Sequence, residues 1–514
     1  MTRKKLPIGI QSFTKIREDD YYYVDKTPFV ARLAEGGSYY FLSRPRRFGK
    51  SLFLDTLGEA FAGNRKLFAG LYLEDHWDWD RIHPVIRISF AAGKLESRAE
   101  LDENILDQLA ANAQRLGVSC DKDRNVSHCF GQLIERAALK FGRRTVVLVD
   151  EYDKPILDNL TAPDIARDMR EGLRNLYSVI KGQDPHLHFV FLTGVSKFSK
   201  VSIFSGLNNL RDITLSAEYA AICGYTEADL DTVFAPELPG LEREEIRRWY
   251  DGYRWLGEGV YNPFDVLLLF QEREFRAWWF ETGTPTFLVD WLKTRQYFTP
   301  NLEEMFADEL LLSTFDVDHI RIEAMLWQTG YVSIVESQRK GARTFYTLRV
   351  PNAEVRAALN TLLLEAWHPK ADALSVMAME LYDMLACGEA NGLHSHFERL
   401  YAAIPNDWYR NTPIAQYEGY FASVFYSHLA ALGLDLVGED VSNHGRCDLA
   451  IRMGSLVYLL EFKVIDGDTA TGEALAQLKA KDYAAKYRAP GVKIIEVGIE
   501  FSKTKRQIVG WEVA

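Results

Sequence analysis

The stretch "FLSRPRRFGKS", residues 41–51, decides the fold. Its last three residues, Gly49, Lys50 and Ser51, fill the end of the phosphate-loop pattern G-x-x-x-x-G-K-[ST]. The first glycine of that pattern is missing, and Arg44 stands in its place. Upstream, "SYYFLS" (38–43) has the aromatic and β-branched character of a strand. Downstream, "SLFLDTLGEAFAG" (51–63) continues as a helix. A loop between a strand and a helix start presents backbone N–H groups to a phosphate. In that reading Lys50 reaches the outer phosphates and the Ser51 hydroxyl holds Mg²⁺, with Arg46, Arg47, Phe48 and Gly49 lining the loop. A bare G-K-S tripeptide is common, so the rest of the chain must support it.

Several short apolar runs do so. "HPVIRISF" (83–90), "RRTVVLVDEYDKPI" (143–156), "HLHFVFLTGVSKF" (186–198) and "RDITLS" (211–216) alternate with long helical patterns. Continuous Val, Leu, Ile and Phe runs separated by helices indicate a parallel sheet covered on both faces. Ligands of such sheets bind at the carboxyl ends of the strands. "VVLVDE" ends there in Asp150, a candidate Mg²⁺ ligand, and Glu151, a candidate base for the attacking water. Two solvated acids closing a strand are the alternative, which the combination with Gly49-Lys50-Ser51 outweighs. Thr193 and Ser196 end the next run, as candidates to sense the terminal phosphate or as plain turn residues.

The chain has 514 residues, enough for several domains. Its apolar share of 47% allows large cores. A net charge of −12 argues against a protein coated in nucleic acid, but leaves room for one local basic groove. No apolar run is long enough to span a bilayer, and the basic start "MTRKKLPIGIQSF" lacks the apolar core of a signal peptide. Five cysteines, Cys120, Cys129, Cys223, Cys387 and Cys447, follow no metal-binding spacing. Reduced thiols, a cytoplasmic location and no membrane partner are the expectations.

Residues 1–216 thus read as an α/β core. The aromatic and helical stretch 217–285, with "WYDGYRW" and "VYNPF", reads as a lid. Residues 286–400 are mainly helical, with a helix–hairpin–helix passage at "IEAMLWQTGYVSIVESQRKGARTFYTLRVPNAEVRAAL" that reads like a winged helix. From 401 to 514 an α-β-β-α-β unit follows, able to hold its own core.

That last unit carries a second constellation. "RCDLAIRMGSLVYLLEFKV" is a pair of strands holding Asp448, Glu461 and Lys463. Strand alternation puts Glu461 and Lys463 on one face and Phe462 on the other. With Asp448 on the adjacent strand, two carboxylates and an ammonium converge. Two carboxylates can hold Mg²⁺ against a phosphodiester, and the lysine can position water or stabilise developing charge. Glu418 in the preceding helix is a further acid, and Gln477 in the following helix could orient water or phosphate. A plain Glu461–Lys463 salt bridge is the alternative. Charges inside so apolar a strand are costly unless paired or used.

These residues resemble a known family. "YYVDKTPFV" (22–30), "FLSRPRRFGKSL" (41–52), "LVDEYDKPI" (148–156), "FLTGVSKFSKVSIFSGLNNLRDI" (191–213), "YDGY" (250–253) and "YNPF" (261–264) are similar to the AAA-ATPase-like proteins whose phosphate loop reads R-P-R-R-F-G-K-S. The C-terminal region resembles the PD-(D/E)XK nuclease-like domain that often closes such chains. The resemblance implies an additional-strand P-loop NTPase with sheet order 5-1-4-3-2, followed by a helical lid, a winged-helix-like region and a restriction-endonuclease-like domain. It gives Lys50 and Ser51 the Walker A roles, Asp150 and Glu151 the Walker B roles, and Asp448, Glu461 and Lys463 the nuclease roles. Cys447 stands where the nuclease pattern has proline. Arg211 is a candidate arginine finger from its place after the sensor strand. ATP and Mg²⁺ are the cofactors so implied, and nucleic acid, DNA first, the partner. Assembly into a homo-oligomer through the ATPase domain is a further expectation. The function expected is ATP hydrolysis coupled to metal-dependent cutting. A nucleotide-operated switch or scaffold that binds without cutting is the alternative, as is contact with DNA through the winged-helix-like region alone.

Overall fold

The structure is a computed structural model, and it describes residues 3–121, 125–197, 209–281, 304–313, 321–367, 371–402, 418–442, 445–505 and 507–514. The chain forms two compact units, Met1–Trp279 with Phe306–Pro351, and Phe280–Met305 with Asn352–Ala514. Among the described residues no helix is long and apolar enough to cross a membrane.

The first unit is built on strands β1 (Tyr39–Ser43), β2 (Val85–Ser89), β3 (Thr145–Asp150), β4 (Leu187–Gly194) and β5 (Arg211–Asp212). They lie in the order β2-β3-β4-β1-β5, every pair parallel. This is the 5-1-4-3-2 order expected. β3 is buried at every position, which explains its unbroken apolar run. The registers of β2 with β3 (Ser89 with Asp150) and of β1 with β4 (Ser43 with Gly194) bring the strand ends to one edge. Helix α1 (Lys50–Phe61) packs against β2, β3 and β4. Helices α2 (Arg98–Leu116), α3 (Val126–Phe141) and α4 (Pro163–Gly182) pack on one another. Ser97 and Asn125 cap the first two with side-chain oxygens. β5 is shorter than the expected 211–216, because Asp212 accepts the Thr214 N–H at 2.9 Å and turns the chain out of the sheet.

The cysteine expectation needs correction. Cys120, ahead of α3, and Cys129, in its first turns, have Cα atoms 4.9 Å apart and form a disulfide. Cys223 and Cys447 are buried free thiols, and Cys387 is exposed.

The lid region contributes α5 (Arg243–Tyr250) and α6 (Pro263–Glu272). Tyr22 and Val24 of the N-terminal arm bury themselves with Leu230, Phe234, Tyr250 and Tyr261 from it. The arm and the lid are therefore one core, although some two hundred residues separate them. The first unit also holds β6 (Met305–Asp308) from Phe306 on, α7 (Ile322–Thr329), β7 (Ser333–Lys340) and β8 (Arg343–Arg349). Their three strands form a separate sheet, β6-β8-β7, whose β7–β8 hairpin follows α7.

In the second unit, α8 (Ala353–Trp367), α9 (Ala371–Cys387), α10 (Ala390–Ala402) and α11 (Glu418–Ala430) precede a five-stranded sheet. Its strands are β9 (Asp435–Ser442), β10 (Gly445–Met453), β11 (Leu456–Ile465), β12 (Lys493–Ser502) and β13 (Gln507–Val513), in the order β13-β12-β11-β10-β9. β11 and β12 run parallel, joined by α12 (Glu473–Lys481), and the other pairs are antiparallel. Edge strands β9 and β13 extend the expected α-β-β-α-β unit. Phe397, Phe421, Phe425, Phe462 and Phe501 fill one face. Leu475, Leu478 and Tyr483 cover the other. His396 of α10 and His428 of α11 are buried with their Nε2 atoms 2.9 Å apart.

Candidate functional sites

At the carboxyl edge of the first sheet, Gly49 has φ +90° and starts α1 from a left-handed conformation. No atom lies within 4 Å of where its Cβ would be, so conformation alone demands glycine. Lys50 is buried, and its Nζ donates to the carbonyls of Arg44 (2.9 Å) and Pro45 (2.8 Å). Burial lowers the pKa of this ammonium, and nearby Asp150 and Glu151 oppose that shift. The Ser51 hydroxyl lies beside the Asp150 carboxylate. Burial raises the pKa of Asp150, while Ser51 and Lys50 pull it back. Glu151 has φ +49° and donates its N–H to Asp150 Oδ1 at 3.0 Å. Burial raises its carboxyl too, against the attraction of Lys50. The four expected residues thus meet at one place. A buried ammonium that caps loop carbonyls while facing two carboxylates suits a site for an anion with a divalent cation.

The remainder of the loop is gripped by the lid. Arg44 does not point toward a phosphate. Its guanidinium donates to the carbonyls of Ser43 (2.8 Å), Thr214 (3.0 Å) and Tyr219 (3.1 Å) and stacks 4.1 Å from the Trp255 ring. Burial brings its pKa down to about 10. Phe48 is buried edge-on to Tyr253 (4.7 Å) and Trp255 (5.5 Å), so its side chain serves packing and only its backbone remains in the loop. Arg47, at φ +68°, lies over Phe264. Arg46 is exposed, and its carbonyl accepts the Trp279 indole N–H at 3.1 Å. Gly330, after α7, abuts Pro45, where a Cβ would stand 2.7 Å from the ring. The aromatics of "WYDGYRW" and "YNPF" are therefore a collar around the R-P-R-R-F segment.

In the second unit, Asp448 on β10 and Glu461 on β11 lie across from each other. Asp448 Oδ2 accepts the Phe462 N–H at 2.7 Å, and the Asp448 N–H points to Glu461 Oε2 at 3.4 Å. Lys463 Nζ is 4.0 Å from Glu461 Oε1. Gln477, one helix away on α12, donates its amide to the same oxygen. Glu461 is buried, and Lys463 is partly open to solvent. α12 can come this close because Gly498, paired with Glu461 in register, has no side chain. A Cβ there would stand 2.3 Å from the Leu475 nitrogen. Cys447, in the proline position, is buried with its thiol 3.3 Å from the Leu460 carbonyl, and burial pushes that thiol up.

Two family models match the chain. Residues 7–204 match "Predicted AAA-ATPase", and residues 416–511 match the PD-(D/E)XK nuclease superfamily. An "Uncharacterized protein in vnfD 5'region" from Azotobacter chroococcum mcd 1 is 59% identical over 514 residues, covering 100% of this chain and 99% of that one. This chain belongs to the AAA-ATPase-like family, with a C-terminal PD-(D/E)XK nuclease-superfamily domain. Among solved structures, the Aeropyrum pernix ORC1 protein in complex with DNA is similar at 14% identity over 67% of this chain and 95% of that one, with a TM-score of 0.25.

Other expected residues of this AAA-ATPase-like protein are placed differently. Thr193 is buried, and its hydroxyl donates to the Leu42 carbonyl of β1 at 2.9 Å, so it braces two strands. Ser196 binds Asp153, a residue that the reading of the sequence passed over. The Asp153 carboxylate accepts from Val195 N (3.1 Å), Ser196 N (2.6 Å) and Ser196 Oγ (2.5 Å). It ties the turn after β3 to the turn after β4, and its position three residues after Asp150 in "DEYDKP" was the available signal. Arg211 lies over the Tyr40 and Tyr219 rings and pairs with Glu218 at 3.9 Å. Glu418 opens α11, and its side chain lies outside the described residues. Tyr483, beside Gln477 and Glu461, is an unforeseen neighbour of the second site.

Proposed function

We propose that this protein is a cytoplasmic ATP-hydrolysing nuclease, in which an AAA-type engine governs a metal-dependent domain that cuts DNA or RNA. The convergence of Asp448, Glu461, Lys463 and Gln477 from three elements carries this reading. In a purely structural role a buried Glu461 would need one partner, yet a lysine, an amide and a second carboxylate surround it. Asp448 and Glu461 would hold Mg²⁺, which supplies charge neutralisation and an acidic water at a phosphodiester. Lys463, on the open side, orients the nucleophile and offsets charge on the phosphorane. Gln477 keeps Glu461 aimed.

In the ATPase site, Ser51 and Asp150 would hold Mg²⁺ bound with ATP, and that ion screens the phosphate charge. Lys50 exchanges its two loop carbonyls for phosphate oxygens. Glu151, with its carboxyl raised by burial, takes a proton from water. Arg211 stays on its own subunit's Tyr40 and Tyr219, so a homo-oligomer in which a second copy supplies the cation for the terminal phosphate fits this reading.

The test incubates the full chain with labelled single- and double-stranded DNA and RNA, with Mg²⁺ or Mn²⁺, with and without ATP. Cutting that Asp448→Ala and Lys463→Ala abolish, with ATP turnover intact, supports the reading. ATP turnover with no cutting of any substrate overturns the nuclease half. It would favour the switch or scaffold, a reading helped by one observation: Asp448 and Glu461 already hold internal donors at Phe462 N and Gln477.

A further inference from the structure

The sheet β6-β8-β7 of the first unit presents a face that neither site uses. In β8, Tyr346 and Leu348 point inward and are buried, so Arg343, Phe345, Thr347 and Arg349 alternate onto the outer face. The register pairs Lys340 with Arg343 and Gln338 with Phe345, adding Lys340 and Gln338 to it. Asp308 of β6 lies 3.9 Å from Arg343, and by alternation Phe306 shares its face. Phe306 is 68% exposed.

Three features of this face call for a partner. On it stand three cations, Lys340, Arg343 and Arg349, against two acids, Glu336 and Asp308, in a chain whose net charge is −12. Lys340 and Arg343 face each other directly across the hairpin, a like-charge pairing that destabilises a ladder unless anions lie beside it, and Asp308 stands 3.9 Å from Arg343. Beside them one aromatic ring is left largely in water and a second, Phe345, is half-buried. Cations alone fit any polyanion. Cations interleaved with open rings on a sheet fit unstacked bases strung on phosphates.

We infer that this face is a platform for single-stranded nucleic acid, with Phe306 and Phe345 stacking bases and Lys340, Arg343 and the hairpin tip taking phosphates. The inference rests on the nucleic-acid reading above and adds where the strand is held on the ATPase unit. A duplex has no free base faces, so single strands of DNA or RNA are the ligand.

The test is fluorescence anisotropy of the full chain with labelled single-stranded DNA, single-stranded RNA and a matching duplex, in EDTA so that nothing is cut. Lys340→Glu with Arg343→Glu is expected to weaken binding about tenfold or more and flatten the salt dependence. Phe306→Ala is expected to weaken single-strand binding about fivefold or more and to leave the duplex untouched. All these positions are on the surface, so ATP turnover without nucleic acid should match the wild type and report on folding. Wild-type binding that both variants retain overturns the platform and leaves the nucleic-acid reading standing. Tighter binding of duplex, indifferent to Phe306→Ala, overturns the stacking role and with it the single-strand assignment. A wild type that binds none of the three removes the nucleic-acid reading itself.

Discussion

The indole N–H of Trp279 donates to the carbonyl of Arg46 at 3.1 Å, so the lid region holds the phosphate loop by its backbone. The ring of Trp279 also packs on Tyr331, which follows α7. Trp279→Phe retains the packing and deletes the hydrogen bond, worth about 0.5–1.5 kcal/mol. ATP affinity measured by titration calorimetry should fall several-fold while the melting temperature shifts little.

Arg44→Gly would restore the textual phosphate-loop pattern, and it should harm the protein. The change leaves the Thr214 and Tyr219 carbonyls without their donor and removes the ring contact with Trp255. Loss of about 2–4 kcal/mol is expected in chemical denaturation, with no gain in ATP binding. A variant as stable as the wild type would refute the anchoring role.

Gly498→Ala tests the second site from behind. The added methyl must displace the first turn of α12, and with it Gln477 from Glu461. Nuclease activity should fall at least as far as in Gln477→Ala, with ATP turnover unchanged, because the sheet of the first unit is untouched. End-point cleavage and ATPase assays on one preparation decide it.

Acid should weaken the second unit through His396. Burial, reinforced by Arg399 and opposed by Glu380, holds its pKa at about 4, below the usual value of 6.5. The unfolded chain therefore binds more protons between those values, and stability rises with pH across that window. The contribution is complete above about pH 6.5 and falls on the order of 3 kcal/mol as the pH drops toward 4. His396→Gln, which can still hydrogen-bond His428, should flatten this limb in urea melts followed at a series of pH values.

The parallel core and the positions of Lys50, Asp150 and Glu461 were legible because each depends on local chemistry: an unbroken apolar run, the loop motif that follows it, or an acid on it; the strand order came from the family resemblance alone. Three kinds of feature were not. β9 and β13 lie at sheet edges, where one side of the strand needs no partner and the hydrophobic pattern is diluted by Gly438, Asp440, Gly510 and Glu512. The collar joins Arg44 to Trp255 and Arg46 to Trp279, over separations that periodicity does not carry. The Cys120–Cys129 bond depends on bringing the two Cα atoms to 4.9 Å, which spacing does not determine. Thr193 shows the opposite error: a hydroxyl in the right place along the chain, facing the wrong way.

A glycine at position 44 would have made the start of the loop a swivel. The buried arginine makes it a rivet, driven through β1 into the 214–219 segment and the lid at once. On the proposed reading, a bound nucleotide would reshape this loop only by carrying the lid along. Loading and any lid movement would then be a single mechanical coordinate, and a mutation that loosens one should be read out in the other.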